Sequence, residues 1–168
     1  PSQSSSRSIN HESESKIVSL KSASAIQINA DNVVIEGLHL RHEGGVSTSD
    51  LIKASASRNG ITIRNNILID ASDEAIQLEA GDNYLVEYNY IVNPVGDGIT
   101  YSSYSLSPMK GNNQKILHND IEGSKSAYGS IYLYGTQNVE VAGNVITTLS
   151  SGIALGTQPE FVQHIYLH

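Results

Sequence analysis

The chain has 168 residues, 17 acidic against 10 basic, and a formal net charge of −7. That balance excludes the basic footprint of a nucleic-acid-binding protein, and no apolar run reaches the roughly 18 residues a membrane-spanning helix needs. Cysteine is absent, so neither a disulfide nor thiolate chemistry is available.

Residues 1–15 are polar and Ser-rich, with too little apolar surface to order themselves. The chain starts at Pro1 rather than Met and shows no signal peptide, as expected of a segment cut from a longer polypeptide. Lys16–Leu20 alternates apolar and polar residues and reads as a first, incomplete rung. Ala25-Ile26-Gln27-Ile28 opens the regular part.

From there five octapeptides align without gaps: Val33–Leu40, Ile61–Leu68, Tyr84–Ile91, Gln114–Ile121 and Val139–Ile146. Their third position is Ile35, Ile63, Val86, Ile116 and Val141, and their eighth is Leu40, Leu68, Ile91, Ile121 and Ile146. The sixth reads Leu38, Asn66, Asn89, Asn119 and Asn144, at spacings of 28, 23, 30 and 25 residues. A second column runs beside the first: Ile26, Ile52, Ile76, Ile99, Ile131 and Ile153, each followed two residues on by Ile28, Ala54, Leu78, Tyr101, Leu133 and Leu155. Period-2 alternation means strand, and self-similarity at this length means a solenoid. Each repeat therefore holds at least two strands, joined by turns rich in Gly, Asn, Asp and Ser. At the far end, Phe161–His168 reads as a strand of a further rung without a polar cap. That edge is expected to be covered by another polypeptide segment or subunit.

The expected fold is all-β: a parallel β-helix solenoid of about six rungs over residues 16–168, itself a segment of a larger one. Stacked rungs lie about 4.8 Å apart, so the asparagines should pair in an internal ladder beginning at Asn66. Asn32-Val33-Val34-Ile35-Glu36-Gly37-Leu38 and Asn138-Val139-Glu140-Val141-Ala142-Gly143-Asn144 resemble the generic repeats of the right-handed parallel β-helix in pectin-lyase-like proteins. The resemblance covers roughly residues 24–168 and implies a fold that hosts lyases, hydrolases, epimerases and adhesins alike. The alternative is a leucine-rich-repeat solenoid, whose core pattern Ile61-x-Ile63-x-x-Asn66-x-Leu68 also fits. The second strand in every repeat, the ragged spacing and the preference for Ile and Val over Leu speak for the β-helix.

Outward positions carry the functional expectations. Glu36, Arg64 and Glu87 alternate in sign and read as a solvated charge ladder. His39 and His42 are three apart on a strand, face opposite sides and make a poor metal pair. Two residues before the second column lie Asp50, Glu74 and Asp97 in consecutive rungs, with Asp73 beside Glu74 and with Lys53, Gln77, Glu79 and Thr100 outward on the same face. Carboxylates stacked so closely repel, so a cation, a raised pKa on the middle member or turn hydrogen bonds must compensate. Calcium would take Asp50, Glu74 and Asp97 as oxygen ligands. As catalytic groups the three acids would act with Lys53 as base, in a polysaccharide lyase or glycosidase. The simplest alternative is that each acid caps its own turn.

The longest departure from the repeat, Tyr101–Asn113, is expected to overhang one face as a loop. Tyr101, Tyr104, Tyr132 and Tyr134, with Glu79, form the expected substrate-binding set, because tyrosine rings stack well on sugars. Signatures of polygalacturonases and pectate lyases are absent; Val95-Gly96-Asp97-Gly98 lacks the second Asp of one of them. The expectation is an extracellular, secreted or cell-surface β-helix that recognises or processes a polysaccharide or glycan. Its alternative is a non-catalytic adhesive or structural β-helix.

Overall fold

A computed structural model describes residues 15–20, 23–43, 48–55, 58–79, 81–102, 111–156 and 162–168. Every regular element is a β-strand, and the strands form three parallel six-stranded sheets. Sheet I stacks β1 (Ser15–Leu20), β4 (Leu38–Glu43), β7 (Ile67–Ile69), β10 (Tyr90–Val92), β13 (Asp120–Glu122) and β16 (Val145–Thr147). Sheet II stacks β2 (Ile26–Gln27), β5 (Ile52–Ala54), β8 (Ile76–Glu79), β11 (Ile99–Ser102), β14 (Ile131–Leu133) and β17 (Ile153–Leu155). Sheet III stacks β3 (Val34–Glu36), β6 (Thr62–Arg64), β9 (Leu85–Glu87), β12 (Gln114–Leu117), β15 (Thr136–Ala142) and β18 (Val162–Leu167).

The chain visits sheets II, III and I in turn, so the fold is a parallel β-solenoid of about five turns, with β1 before them and β17–β18 after. Three sheets and no helix among the described residues rule out the leucine-rich-repeat alternative. The third strand per rung comes from the octapeptide itself. What alternates as one strand, Ile61–Leu68, bends after Arg64 into β6 and β7. The bend lies at the fifth octapeptide position, where Gly37, Asn65, Tyr88, His118 and Gly143 all have φ between 54° and 69°. Glycine and asparagine enter this left-handed region readily, whereas tyrosine and histidine do so only when the surroundings hold them there. The Tyr88 and His118 rings stack at 5.0 Å.

The two apolar columns line the interior. Ile52, Ile76, Ile99 and Ile131 are fully buried, as are Leu40, Leu68, Ile91 and Ile121. Each such side chain contributes about 1.5–3 kcal/mol relative to exposure. The asparagine ladder stands at the bend between sheets III and I. Leu38 N–H donates to Asn66 Oδ1 at 3.0 Å, and the series runs on through Asn89, Asn119 and Asn144. Each Nδ2 bonds twice: Asn89 Nδ2 donates to Ile63 O at 2.9 Å and to Asn119 Oδ1 at 2.9 Å. No amide of the ladder is orphaned, which is why asparagine can repeat inside an apolar column.

On the outside of sheet III, Arg64 Nη2 meets Glu36 Oε2 at 2.9 Å, so the expected charge ladder includes an ion pair. At the last strands Leu155, Tyr166 and Leu167 are exposed; the expected covering partner concerns this surface, and Phe161 lies outside the described residues.

Candidate functional site

Sheet II brings the chemistry-bearing residues together on its outer face. Its register pairs Gln27 with Lys53, Lys53 with Gln77, Gln77 with Thr100, Thr100 with Tyr132 and Tyr132 with Ala154. One alternation further on, Glu79 pairs with Ser102, and Tyr134 follows in the next rung, its N–H donating to Tyr101 O at 2.8 Å.

The acids come from the turns that lead into this sheet. Leu51 N–H donates to Glu74 O at 3.1 Å, and Ala75 N–H donates to Asp97 O at 3.0 Å, which stacks the three turns as their spacing requires. Ser72 holds the middle turn. Its Oγ donates to Ser49 O at 3.0 Å and accepts from Ser49 N–H at 3.1 Å, while its own N–H donates to His42 Nδ1 at 3.2 Å. The buried His42 ring is thus a structural clamp, fastened on its other side to Ala23 O at 3.2 Å.

Asp50, Asp73 and Glu74 each offer a carboxylate oxygen within 4.8 Å of the others. This trio differs from the expected one: Asp73 takes the place of Asp97. Asp97 is buried two residues before β11, and its Oδ2 accepts from Thr100 Oγ1 at 2.7 Å. Burial raises its pKa, and polar groups of Ser126, Thr100 and Gly129 pull in the opposite direction. The contacts of Asp97 are structural, tying it to Thr100 of its own rung and to the Ser126–Gly129 turn of the next.

Asp50 and Glu74 are different. Asp50 is 2 % exposed and its Oδ2 accepts from Lys53 Nζ at 2.8 Å. Burial pushes Glu74 up to about 9, reinforced by the hydrogen bond and charge of Asp50 and by the charge of Asp73. Glu74 therefore keeps its proton at neutral pH and donates it within the cluster. Burial and the Asp50 charge raise Asp73 as well, against the Glu74 hydrogen bond and the Lys53 charge. The repulsion is relieved by a proton on the middle member and by an ammonium on Asp50.

Lys53 also contacts Gln77 Oε1. Burial works to lower its pKa, but the Asp50 hydrogen bond and charge, with Glu79 and Glu74, outweigh it and the net shift is upward. An ammonium held this way is a counter-ion and a poor general base. Two carboxyls sharing a proton also stand closer than the roughly 5–5.5 Å of a retaining glycosidase. Calcium would find three oxygens here, on condition that it displaced the Glu74 proton and the Lys53 ammonium.

Of the expected aromatic residues, Tyr101 is corrected outright. Its side chain points into the core, 1 % exposed, edge to face with Tyr84 at 5.7 Å, and its hydroxyl donates to Lys115 O at 3.1 Å. It occupies the inward companion position that Leu78 and Leu133 hold in neighbouring rungs, so it cannot meet a ligand on the surface. Tyr104 lies outside the described residues. Tyr132 and Tyr134 take outward register positions with their rings stacked at 6.3 Å, and Tyr132 is itself buried at 8 % exposure. Tyr128, which the repeat register does not reach, stacks on Tyr132 at 5.2 Å and is 63 % exposed. Glu79 sits two rungs from Tyr134, and burial raises its pKa against the Lys53 charge. Comparison with protein-family models, with curated proteins and with solved structures returned no match.

Proposed function

We propose that the outer face of sheet II is a carbohydrate-recognition surface of an extracellular β-helix. The observation that carries this reading is the stacked series Tyr128, Tyr132 and Tyr134, in register with the polar columns Lys53–Gln77–Thr100 and Glu79–Ser102. Flat rings with polar tips suit the apolar faces and hydroxyls of sugars. Rungs spaced about 4.8 Å apart repeat those contacts along the axis, so an extended glycan can lie along the columns with one unit to a rung or two.

Glycan-array binding followed by titration tests the proposal. The chain should bind at least one oligosaccharide class, and Tyr128→Ala with Tyr134→Ala should weaken binding by about 1–3 kcal/mol in sum. Equal affinity of wild type and double variant for every ligand would remove the reading.

A processing role is the second reading, favoured by one specific feature. Glu74 is held protonated beside the Lys53-paired Asp50, and environments that separate two carboxyl groups in this way mark acid–base assignments. Glu74 would be the proton donor, with the sugar bound beside the partly exposed Gln77. Activity lost in Glu74→Gln with glycan affinity retained supports this; glycan turnover by Glu74→Gln at the wild-type rate removes it.

A further inference from the structure

We propose that the outer face of sheet I docks a second copy of this chain with its solenoid axis reversed. The two-fold axis lies in the interface and runs along the strands, between β7 and β10. The inference goes beyond the carbohydrate reading and is independent of it, because it uses a different sheet.

Leu40, Leu68, Ile91 and Ile121 of sheet I point into the core, so the residues on either side of them face outward. The register sets these neighbours in two columns that change character together along the axis. Basic side chains stand on the β1 and β4 rungs, Lys16 in one column and Arg41 in the other. The two middle rungs are apolar: Ile67 and Tyr90 in the first column, Ile69 and Val92 in the second. The β13 rung is acidic, with Asp120 and Glu122. Ile67 is already buried, whereas Ile69, Tyr90 and Val92 are each partly exposed. Apolar surface rimmed by charge in this way marks an association site.

At the edge of the sheet the order of signs is inverted. Glu43 ends β4 and Asp70 follows β7, while Lys125 lies beyond the end of β13 and is exposed. Glu43, Asp70 and Lys125 line one open cavity with Arg41 and Val95. The two-fold exchanges β4 with β13 and β7 with β10, so each column meets itself. Arg41 then faces Glu122 of the second copy, Ile69 faces its Val92, and Glu43 comes opposite its Lys125. The other two-fold, parallel to the solenoid axis, would set Asp120 against Glu122, and that repulsion decides between them.

The contacts within the chain leave room for these pairs. Arg41 donates through Nη2 to Asp70 Oδ2 at 3.1 Å, and Glu122 Oε2 accepts from the Tyr90 hydroxyl at 3.1 Å. A guanidinium has further donors and a carboxylate further acceptor sites. Six rungs of three residues give a strip about 24 Å long and about 10 Å wide. That is short of the roughly 800 Å² per partner of a standard interface, so the dimer is a weak one, with a dissociation constant on the order of 10–100 μM.

Sedimentation equilibrium of the full chain from about 1 μM to about 1 mM tests the proposal. A reversible dimer is expected. Arg41→Glu and Glu122→Arg each set like charges together twice per dimer and should weaken it by about tenfold or more. An equimolar mixture of the two variants makes every such pair opposite in sign, and it should dimerise about as well as wild type. Val92→Glu touches no charged residue of the strip and should abolish the dimer. Circular dichroism and melting temperature confirm that each variant is folded, and Val92→Glu carries the test if a charge reversal is not. Wild type that stays monomeric throughout overturns the inference. So does a dimer indifferent to Val92→Glu, or a mixture of folded charge variants no more dimeric than either alone.

Discussion

Lys53 extends its ammonium to 2.8 Å from Asp50 Oδ2, with the lysine side chain 30 % exposed and the aspartate 3 %. The pair joins residues three apart across the start of β5 and turns a buried carboxylate into a tolerated one. Without the ammonium, Asp50 would face Glu74 and Asp73 with no counter-charge in contact.

Lys53→Met should therefore destabilise the chain by about 2–3 kcal/mol, below the full cost of breaking a buried pair because water reaches the lysine. Asp50→Asn in the same chain should recover much of that loss, since the orphaned charge is then gone. Urea unfolding of the two single variants and the double variant checks it. Additive losses would deny the coupling.

The proton on Glu74 sets a pH dependence with a definite sign. Its folded pKa of about 9 stands above the ordinary value of 4.5, so the folded chain binds more protons than the unfolded chain between those limits. The stability this group contributes is complete below about 4.5 and is lost as pH rises through 9. Burial raises Asp73, Asp97 and Glu79 too, which adds to the same slope. Melting temperature should fall as the solution is made alkaline, and Glu74→Gln should flatten the fall. An unchanged slope in the variant would place the proton elsewhere.

The same cluster sets the terms of a calcium test. A cation must displace the proton of Glu74 before Asp50, Asp73 and Glu74 can share it. Any melting shift at millimolar calcium should thus be larger near pH 9 than near pH 6, and Glu74→Gln should abolish it. A shift that ignores both pH and this substitution would put the calcium at a different site.

The ladder gives a graded test of the core. Asn89 is 2 % exposed and bonds the rungs on both sides, whereas Asn144 is half-exposed and turns one Nδ2 bond back to Ala142 O at 3.2 Å. Asn89→Ala leaves Ile63 O and the amides of Asn66 and Asn119 short of partners, at about 1–3 kcal/mol for each buried group left unsatisfied. Asn144→Ala should cost less, because water reaches its site. Equal denaturation midpoints for the two variants would contradict the ladder.

How much of this was legible in the residues varies with the range of the interaction. Which side chains face inward is a local property: alternation along Ile76–Glu79 or Ile99–Ser102 states it, and the repeated asparagines state the height at which rungs meet. The apolar columns, the ladder from Asn66 and the stacking of the Asp50, Glu74 and Asp97 turns were therefore readable. Tyr101 was readable too, from its place among the inward companions of the second column, but its neighbourhood to the long insertion pointed the other way. Only the tertiary structure decided the direction of the chain at each corner. Tyr88 and His118 hold left-handed backbone there against the preference of their own side chains, so no local signal announced the third sheet. Stacking fixes a residue's height along the solenoid but leaves its direction around the axis to the path of the turn. That is why Asp73 rather than Asp97 joined Asp50 and Glu74, and why Tyr128, off the repeat register, came to lie on Tyr132.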